Sequence, residues 1–261
     1  MNQSQLSQSP GQSSDQSSSK QLHQTFSQPQ QYQAIFEDKI ELNDKFTHYS
    51  FELKKPHRLE FQAGQYLSLD INQDGQRRSY SIISDPDIQH GVEILVDTSL
   101  EGPGTAFLQN LQFGQEVRLL APLGNFTVDR SGQEQALTFV ATGAGVAPFL
   151  SMILDQLKNK KDTRPIMLYW GLRQVDEMVW EDDFAQWEKA YSNFKFHPVI
   201  SQPVKEWPLC RGRVTDCLQI HQLLPESGYY LCGRQEMIDQ VSELLQAKGV
   251  GVDKLHQEKF Y

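Results

Sequence analysis

Three short segments carry residue types that can hold redox nucleotides: Arg78-Ser79-Tyr80-Ser81-Ile82-Ile83-Ser84, Thr142-Gly143-Ala144-Gly145-Val146-Ala147-Pro148, and Cys232-Gly233-Arg234. Arginine presents a planar fork of donors that suits a phosphate, and on a strand the residue two positions later projects from the same face. Arg78 and Tyr80 can therefore grip a phosphate and cover a ring together. Ser79 points the other way, while Ser81 and Ser84 supply small hydroxyls toward the strand's end. Gly102-Pro103-Gly104-Thr105 offers a second anion site, because a glycine turn leading into a helix near Thr105 presents backbone N–H groups and a positive dipole end.

The segment at 142–148 follows a short apolar run at 137–141. Strand, glycine loop and helix in that order form the context of a dinucleotide site, since glycine lets the backbone approach a pyrophosphate. Pro148 opens the next helix at no cost, because an N–H in the first turn has no partner within the helix. It also stands where the usual fingerprint has a third glycine. Cys232 ends another apolar run, 229–232, directly before Gly233 and a helix. Taken alone, it reads better as a small buried residue in a strand, and its place before Gly233 and a helix is what shifts that reading.

The elements that must position these residues divide the chain. Residues 1–32 are dominated by Gln and Ser and cannot bury enough apolar surface to offset their ordering entropy, so a disordered tail is expected. From 33 to 129 the apolar residues alternate in short stretches, as in Thr47, Tyr49, Phe51 and Leu53, with Asn72-Gln73-Asp74-Gly75 as a hairpin turn. This pattern predicts a small antiparallel barrel, interrupted by one helix at about 105–111. From 135 to 261 strands and helices alternate: apolar runs at 137–141, 166–170, 196–200 and 229–232 are separated by helical faces such as Phe149, Ile153, Leu154 and Leu157. That rhythm predicts an open α/β sheet with parallel, doubly covered strands.

Whole-chain properties exclude several classes. A formal charge of −9 with no basic stripe argues against nucleic acid as a partner. Cys210, Cys217 and Cys232 match neither a zinc spacing nor the clustered thiolates of an iron–sulfur centre, so no metal site is assigned. With few cysteines, no basic-then-apolar leader and no apolar stretch long enough for a bilayer, the expectation is a cytoplasmic protein without membrane insertion.

Together these motifs resemble those of the ferredoxin–NADP+ reductase superfamily, from about residue 34 to the C-terminus. The family's flavin motif has the form Arg-x-Tyr-Ser-x-x-Ser with a later Gly-x-x-Ser/Thr turn, and its nucleotide loop reads Gly-x-Gly-x-x-Pro, met here by Gly143, Gly145 and Pro148. The resemblance implies a two-domain β plus α/β architecture: an antiparallel Greek-key β-barrel for FAD, then a doubly wound parallel-sheet domain for NAD(P)H. Arg78 would bind a flavin phosphate, Tyr80 would stack on the isoalloxazine, Ser81 would hydrogen-bond the hydride-accepting nitrogen, and the backbone at Gly104 and Thr105 would complete the pyrophosphate site. Cys232, followed by Gly233, would approach the hydride-donating carbon. Glu258-Lys259-Phe260-Tyr261 resembles the terminal Glu-x-aromatic, so Phe260 or Tyr261 would cover the flavin and Glu258 would help align hydride transfer. For the nucleotide's ribose, Arg173, Arg211 and Arg213 are candidate phosphate contacts, yet Gln202 stands where NADP-preferring relatives tend to have Arg, which favours NADH slightly. The implied activity passes a hydride from NAD(P)H to FAD and then single electrons to a separate acceptor. No Cys-x4-Cys-x2-Cys run is present, so that acceptor would be a ferredoxin, a flavodoxin or another redox protein. A flavin or ferric reductase with small acceptors, or a docking and electron-relay subunit, are the alternatives.

Overall fold

The computed structural model describes residues 28–129, 131, 133–224 and 226–259. Most of the expected tail, and both Phe260 and Tyr261, lie outside the described residues. The first strand starts at Gln30, ahead of the expected boundary at Gln33.

Six strands, β1 (Gln30–Glu41), β2 (Phe46–Lys55), β3 (Tyr66–Asp70), β4 (Arg77–Ser81), β5 (Gly91–Asp97) and β6 (Glu116–Leu123), form an antiparallel sheet in the order β4-β3-β6-β1-β2-β5. Its two edges meet: Ile82, just past β4, bridges to Ile94, and the Ile83 N–H donates to the Glu93 carbonyl at 2.9 Å. The sheet thereby closes into the expected small barrel, which satisfies edge groups that would otherwise stay unpaired. Alternation fixes the inside: Tyr49, Phe51 and Leu53 of β2 face Leu67, Leu69, Val92 and Ile94 in one core. The turn at 72–75 joins β3 to β4, with Gly75 at φ +81°, a conformation that favours glycine. The helix α1 (Pro103–Gln109) begins two residues before Thr105, so Gly104 and Thr105 sit in its first turn.

The second half alternates β7 (Ala136–Thr142), α2 (Ala147–Leu154), β8 (Ile166–Leu172), α3 (Glu181–Ala190), β9 (Phe194–Ile200), β10 (Cys210–Arg211), α4 (Val214–Ile220), β11 (Ser227–Gly233), α5 (Gln235–Ala247) and β12 (Leu255–Lys259). The strands are parallel in the order β10-β9-β8-β7-β11-β12. Central β7 and β11 are buried on both faces, which is why they read as unbroken apolar runs. Phe149, Ile153 and Phe184 of α2 and α3 pack one face against Phe139, Leu168 and Trp170; Val214, Leu218, Ile238 and Val241 of α4 and α5 pack the other against Val140, Tyr169 and Leu231. Helices on both faces make the sheet doubly wound. The helical face read through Leu157 is continued beyond α2 by a π turn, Asp155–Asn159.

Barrel and sheet share a core. Phe46, Leu95 and Phe126 pack in one buried cluster with Phe139, Phe149 and Trp170, and the rings of Phe46 and Trp170 lie 6.1 Å apart. Polar ties flank this cluster: Ser151 Oγ donates to the Ser84 carbonyl at 2.8 Å, and Lys158 Nζ and Asn159 Nδ2 reach the Asp85 carboxylate at 2.6 and 2.7 Å. Burial alone would raise the Asp85 carboxyl; the two donors outweigh it and hold the group below its ordinary value. Cys210 and Cys217 form a disulfide, and Cys232 is a buried free thiol. The pair meets because edge strand β10 lies beside α4, a juxtaposition that spacing alone does not reveal. No helix among the described residues is long and apolar enough to cross a membrane.

Candidate active site

A cleft of about 1630 Å³ separates the barrel from the carboxyl ends of the parallel strands, and both halves line it. From the barrel come Arg78, Ser79, Tyr80 and Ser81 of β4, Tyr66 of β3, and Gly102, Gly104 and Thr105 around the start of α1. From the sheet come Thr142 at the end of β7 with Gly143 and Gly145 after it, Arg173 after β8, Gly233 at the end of β11, and Glu258 of β12.

On the barrel side, Gly104 packs directly on the Arg78–Tyr80 pair. A Cβ there would lie 2.6 Å from the Tyr80 hydroxyl and 2.9 Å from Arg78 Cγ. The close approach favours glycine, and it seats the first turn of α1 against the Arg78 side-chain stem. Arg78 donates from NH1 to the Arg77 carbonyl at 2.8 Å; among the described residues it has no carboxylate partner, because Asp70 pairs with Arg77 and Arg118 instead. A cationic fork beside unspent helix donors is a site for phosphate. Burial pushes the Tyr80 phenol up to about 12, so its hydroxyl stays a donor.

On the sheet side, strand order reverses between β7 and β11, with β8 to β10 on one side and β12 on the other. Ligands of open α/β sheets bind outside the carboxyl ends of strands at such a switch point. Gly143, at φ +54°, has open space where a Cβ would stand, leaving room for a ligand to approach the backbone. Gly145 is the opposite case: a Cβ would run into the Cys232 carbonyl, so the loop crosses the end of β11 backbone to backbone. The loop itself is a single 3-10 turn, Gly143–Val146, before α2, in whose first turn Pro148 sits. Thr142 Oγ1 is buried without a hydrogen-bond partner.

Between the two sides lies Glu258. The parallel pairing of β11 with β12 sets it opposite Cys232, and its Oε1 lies 3.7 Å from where a Cβ on Gly124 of the barrel would stand. Its Oε2 is buried and has no partner, and burial lifts the carboxyl to about 7. The Cys232 thiol is pushed well up, first by burial and then by the Glu258 charge, so it stays protonated.

Of the residues singled out in the sequence, three lie behind the cleft wall. Cys232 is fully buried in the shared core. Ser84 is buried as well, its Oγ accepting from the Glu93 N–H at 3.4 Å, and Pro148 is buried within α2. Sequence reasoning passed over Tyr66, which pairs with Ser81 across β3 and β4, packs on Gly124 and lines the cleft; its only local signal is a place in an apolar run. It also passed over Glu177, which accepts from the Arg173 N–H at 2.9 Å and pairs with Lys45 of the barrel at 2.9 Å.

The described residues fit a flavin and a dinucleotide: an uncompensated arginine fork, a glycine-tight helix start, an open glycine and two orphaned buried oxygens all face one cleft. Fold and site define a two-domain protein that binds FAD and a nicotinamide dinucleotide. Residues 33–128 match the model of the oxidoreductase FAD-binding domain and residues 139–243 that of the oxidoreductase NAD-binding domain, and the chain belongs to the ferredoxin–NADP+ reductase superfamily. It is similar to the anthranilate 1,2-dioxygenase electron transfer component of Acinetobacter baylyi, with 29% identity over 78% of this chain and 59% of that one. The phenol hydroxylase P5 protein of Acinetobacter pittii is 31% identical over 88% of this chain and 66% of its own length. The chain thus spans about three fifths of the length of these curated relatives. Among solved structures, a ferredoxin NADP+ reductase from Neisseria gonorrhoeae with bound FAD and NADP shares the fold, with a TM-score of 0.76 and 22% identity over 90% of this chain and all of that one.

Proposed function

We propose that the chain is an NAD(P)H-dependent flavin reductase that delivers electrons one at a time to a separate protein acceptor, a ferredoxin, a flavodoxin or the oxygenase component of a multicomponent system. The observation that carries this reading is the single cleft onto which the flavin-type cradle of the barrel and the dinucleotide-type cradle of the sheet both open. The names of the relatives, electron transfer and reductase components, point the same way. FAD, when bound, supplies the chemistry that accepts a hydride and releases electrons singly.

The chain's own groups position the partners. Arg78 and the first turn of α1 hold phosphate, and the Tyr80 ring provides a stacking face. The backbone at Gly143 takes the dinucleotide pyrophosphate, with Gly145 and Gly233 keeping the loop seated on β11. Ser81 offers a hydroxyl, and Glu258, lining the same cleft, holds a proton near neutral pH. Cys232 acts from beneath the wall by shaping it and not as a nucleophile, because its thiol stays protonated. Phe260 or Tyr261 covers the flavin in this reading. NADH is favoured over NADPH because all three candidate arginines are engaged: Arg211 is outside the residues that line the cleft and donates to the Trp207 and Lys205 carbonyls at 3.1 and 2.7 Å. Arg173 Nε donates to Gln202 at 3.2 Å, and Arg213 pairs with Glu236 at 3.0 Å. The reading sets the enzyme in the cytoplasm, where its reduced dinucleotide is supplied.

An anaerobic absorption spectrum of the purified protein tests it. A flavin spectrum bleached by NADH faster than by NADPH is expected; a colourless protein that also fails to take up added FAD would refute the reading. Cys232→Ser should retain flavin but be reduced more slowly by NADH, and an unchanged rate would remove Cys232 from the site.

A further inference from the structure

We propose that Cys210 and Cys217 are a redox-interconvertible thiol pair that shapes the wall of the nucleotide cleft. Residues 211–216, enclosed by the disulfide, include Gly212, Arg213, Val214 and Thr215, all of which line the cleft. Beyond the disulfide, the segment is held by the two residues of β10 on Val199 and Ile200, by the Gly212 N–H to the Ile200 carbonyl at 2.9 Å, by the Arg213–Glu236 pair at 3.0 Å and by Val214 in the core, and only the disulfide ties β10 covalently to α4. Closing the disulfide joins that edge strand to α4 and restricts the turn between them; opening it removes the covalent tie, so that the turn at 211–213 fluctuates more and a ligand then has to order it on binding.

The surroundings suit thiol exchange. Cys217 is 1% exposed, whereas Cys210 is only half-buried, so an incoming thiol reaches Cys210 first. His221 Nε2 lies 3.6 Å from Cys210 Sγ, and the Tyr169 hydroxyl, kept protonated by burial, lies 3.0 Å from His221 Nδ1. With Tyr169 donating to Nδ1, Nε2 carries the ring's proton toward the sulfur. A small-molecule thiolate such as glutathione attacks Cys210 Sγ; the bond to Cys217 breaks and its electron pair leaves on Cys217 Sγ, which takes up a proton. A second thiolate attacks the external sulfur of the mixed disulfide and expels Cys210 Sγ, whose thiolate is stabilised by the His221 Nε2–H and takes up a proton from solvent. Two small thiols become one disulfide, and the protein disulfide gains two electrons and two protons. In a reducing compartment, disulfides of this kind are transient and serve sensing.

The proposal rests on the dinucleotide reading of the cleft, and its test separates the two. The flavin-loaded full chain is compared as isolated and after anaerobic treatment with reduced glutathione. Hydrogen exchange and alkylation, read by mass spectrometry, report on the pair without any nucleotide. Reduction should expose Cys210 and Cys217 to alkylation and speed exchange across 211–216. It should also raise the KM for NADH, with ferricyanide as acceptor, at least about fivefold while leaving kcat unchanged. Cys210→Ser and Cys217→Ser should behave like the reduced protein and ignore glutathione. Unchanged exchange across 211–216 on reduction, or a glutathione response that survives Cys210→Ser, would overturn the switch. Cys210, Cys217 and His221 bring their ligand atoms within 4.8 Å of one another. Uptake of one zinc ion by the reduced protein with KM unmoved would therefore replace the switch with a metal site. Failure of NADH to bind in either state, with exchange still responding, would leave the thiol pair standing and refute the dinucleotide reading instead.

Discussion

Tyr80 and Glu258 line one cleft from its two halves in different chemical roles, and each can be tested by removing a few atoms. The Tyr80 ring packs on the barrel core and is held in place by Gly104, so a stacking face is preformed before any ligand arrives. Tyr80→Ala should weaken flavin retention by about 2 kcal/mol, roughly 30-fold in Kd, measured by flavin fluorescence on dilution. Glu258 is a titration test. Its folded pKa, about 7, lies above the ordinary 4.5, so between those values the folded chain binds a proton that the unfolded chain has lost. Stability contributed by this group therefore falls as pH rises through that window. Glu258→Gln removes the loss, and its stability advantage over the parent should grow from pH 4.5 to just above 7 in denaturant titrations. A pH-independent difference would mean that the carboxyl is not buried in the way the structure describes.

At the scale of elements, the β7–loop–α2 unit carries the tightest geometric demand. Gly145→Ala places a Cβ against the carbonyl of Cys232 and 2.8 Å from Gly233 Cα, both of them backbone, so the loop must lift off β11. Overpacking of this kind costs about 1–3 kcal/mol. NADH affinity should fall by at least about tenfold while the flavin spectrum stays intact, because the barrel cradle is untouched. Equal loss of flavin would contradict the division of the site between the two halves. This unit was legible in the sequence because its signals are local: an unbroken apolar strand, glycines where backbone must pass, and a proline in the first turn of a helix. The β4 motif was legible for the same reason. The edge elements were not. Residues of β12, Leu-His-Gln-Glu-Lys, are largely polar and half-exposed, so no period betrays the strand, although it is what sets Glu258 opposite Cys232. β10 is too short to pattern, and without it nothing suggests that Cys210 and Cys217 meet. Tyr66 and Glu177 gain their significance only from the other half of the molecule. Local pattern encodes what one element buries and says little about encounters between domains.

The whole molecule depends on how barrel and sheet are joined, since the cleft exists only between them. Phe46, Leu95 and Phe126 of the barrel belong to the same buried cluster as Phe139, Phe149 and Trp170 of the sheet, so the interface is continuous with the interior of the α/β half. Polar links reinforce it at two margins: Lys158 and Asn159 to Asp85, and Lys45 to Glu177 with Asn43 Nδ2 donating to the Asp176 carbonyl at 2.9 Å. Domains joined by a large apolar interface should unfold together, unlike those joined by a small polar one. Phe46 is fully buried against Trp170, and truncating it leaves a cavity that neither half can close alone. Phe46→Ala should cost about 3–5 kcal/mol. Flavin release, which reports the barrel, and tryptophan fluorescence, which reports the α/β half through Trp170, should shift to lower denaturant together and remain superimposable. If only the flavin signal moves, the two halves fold independently and the shared core does not set the geometry of the cleft.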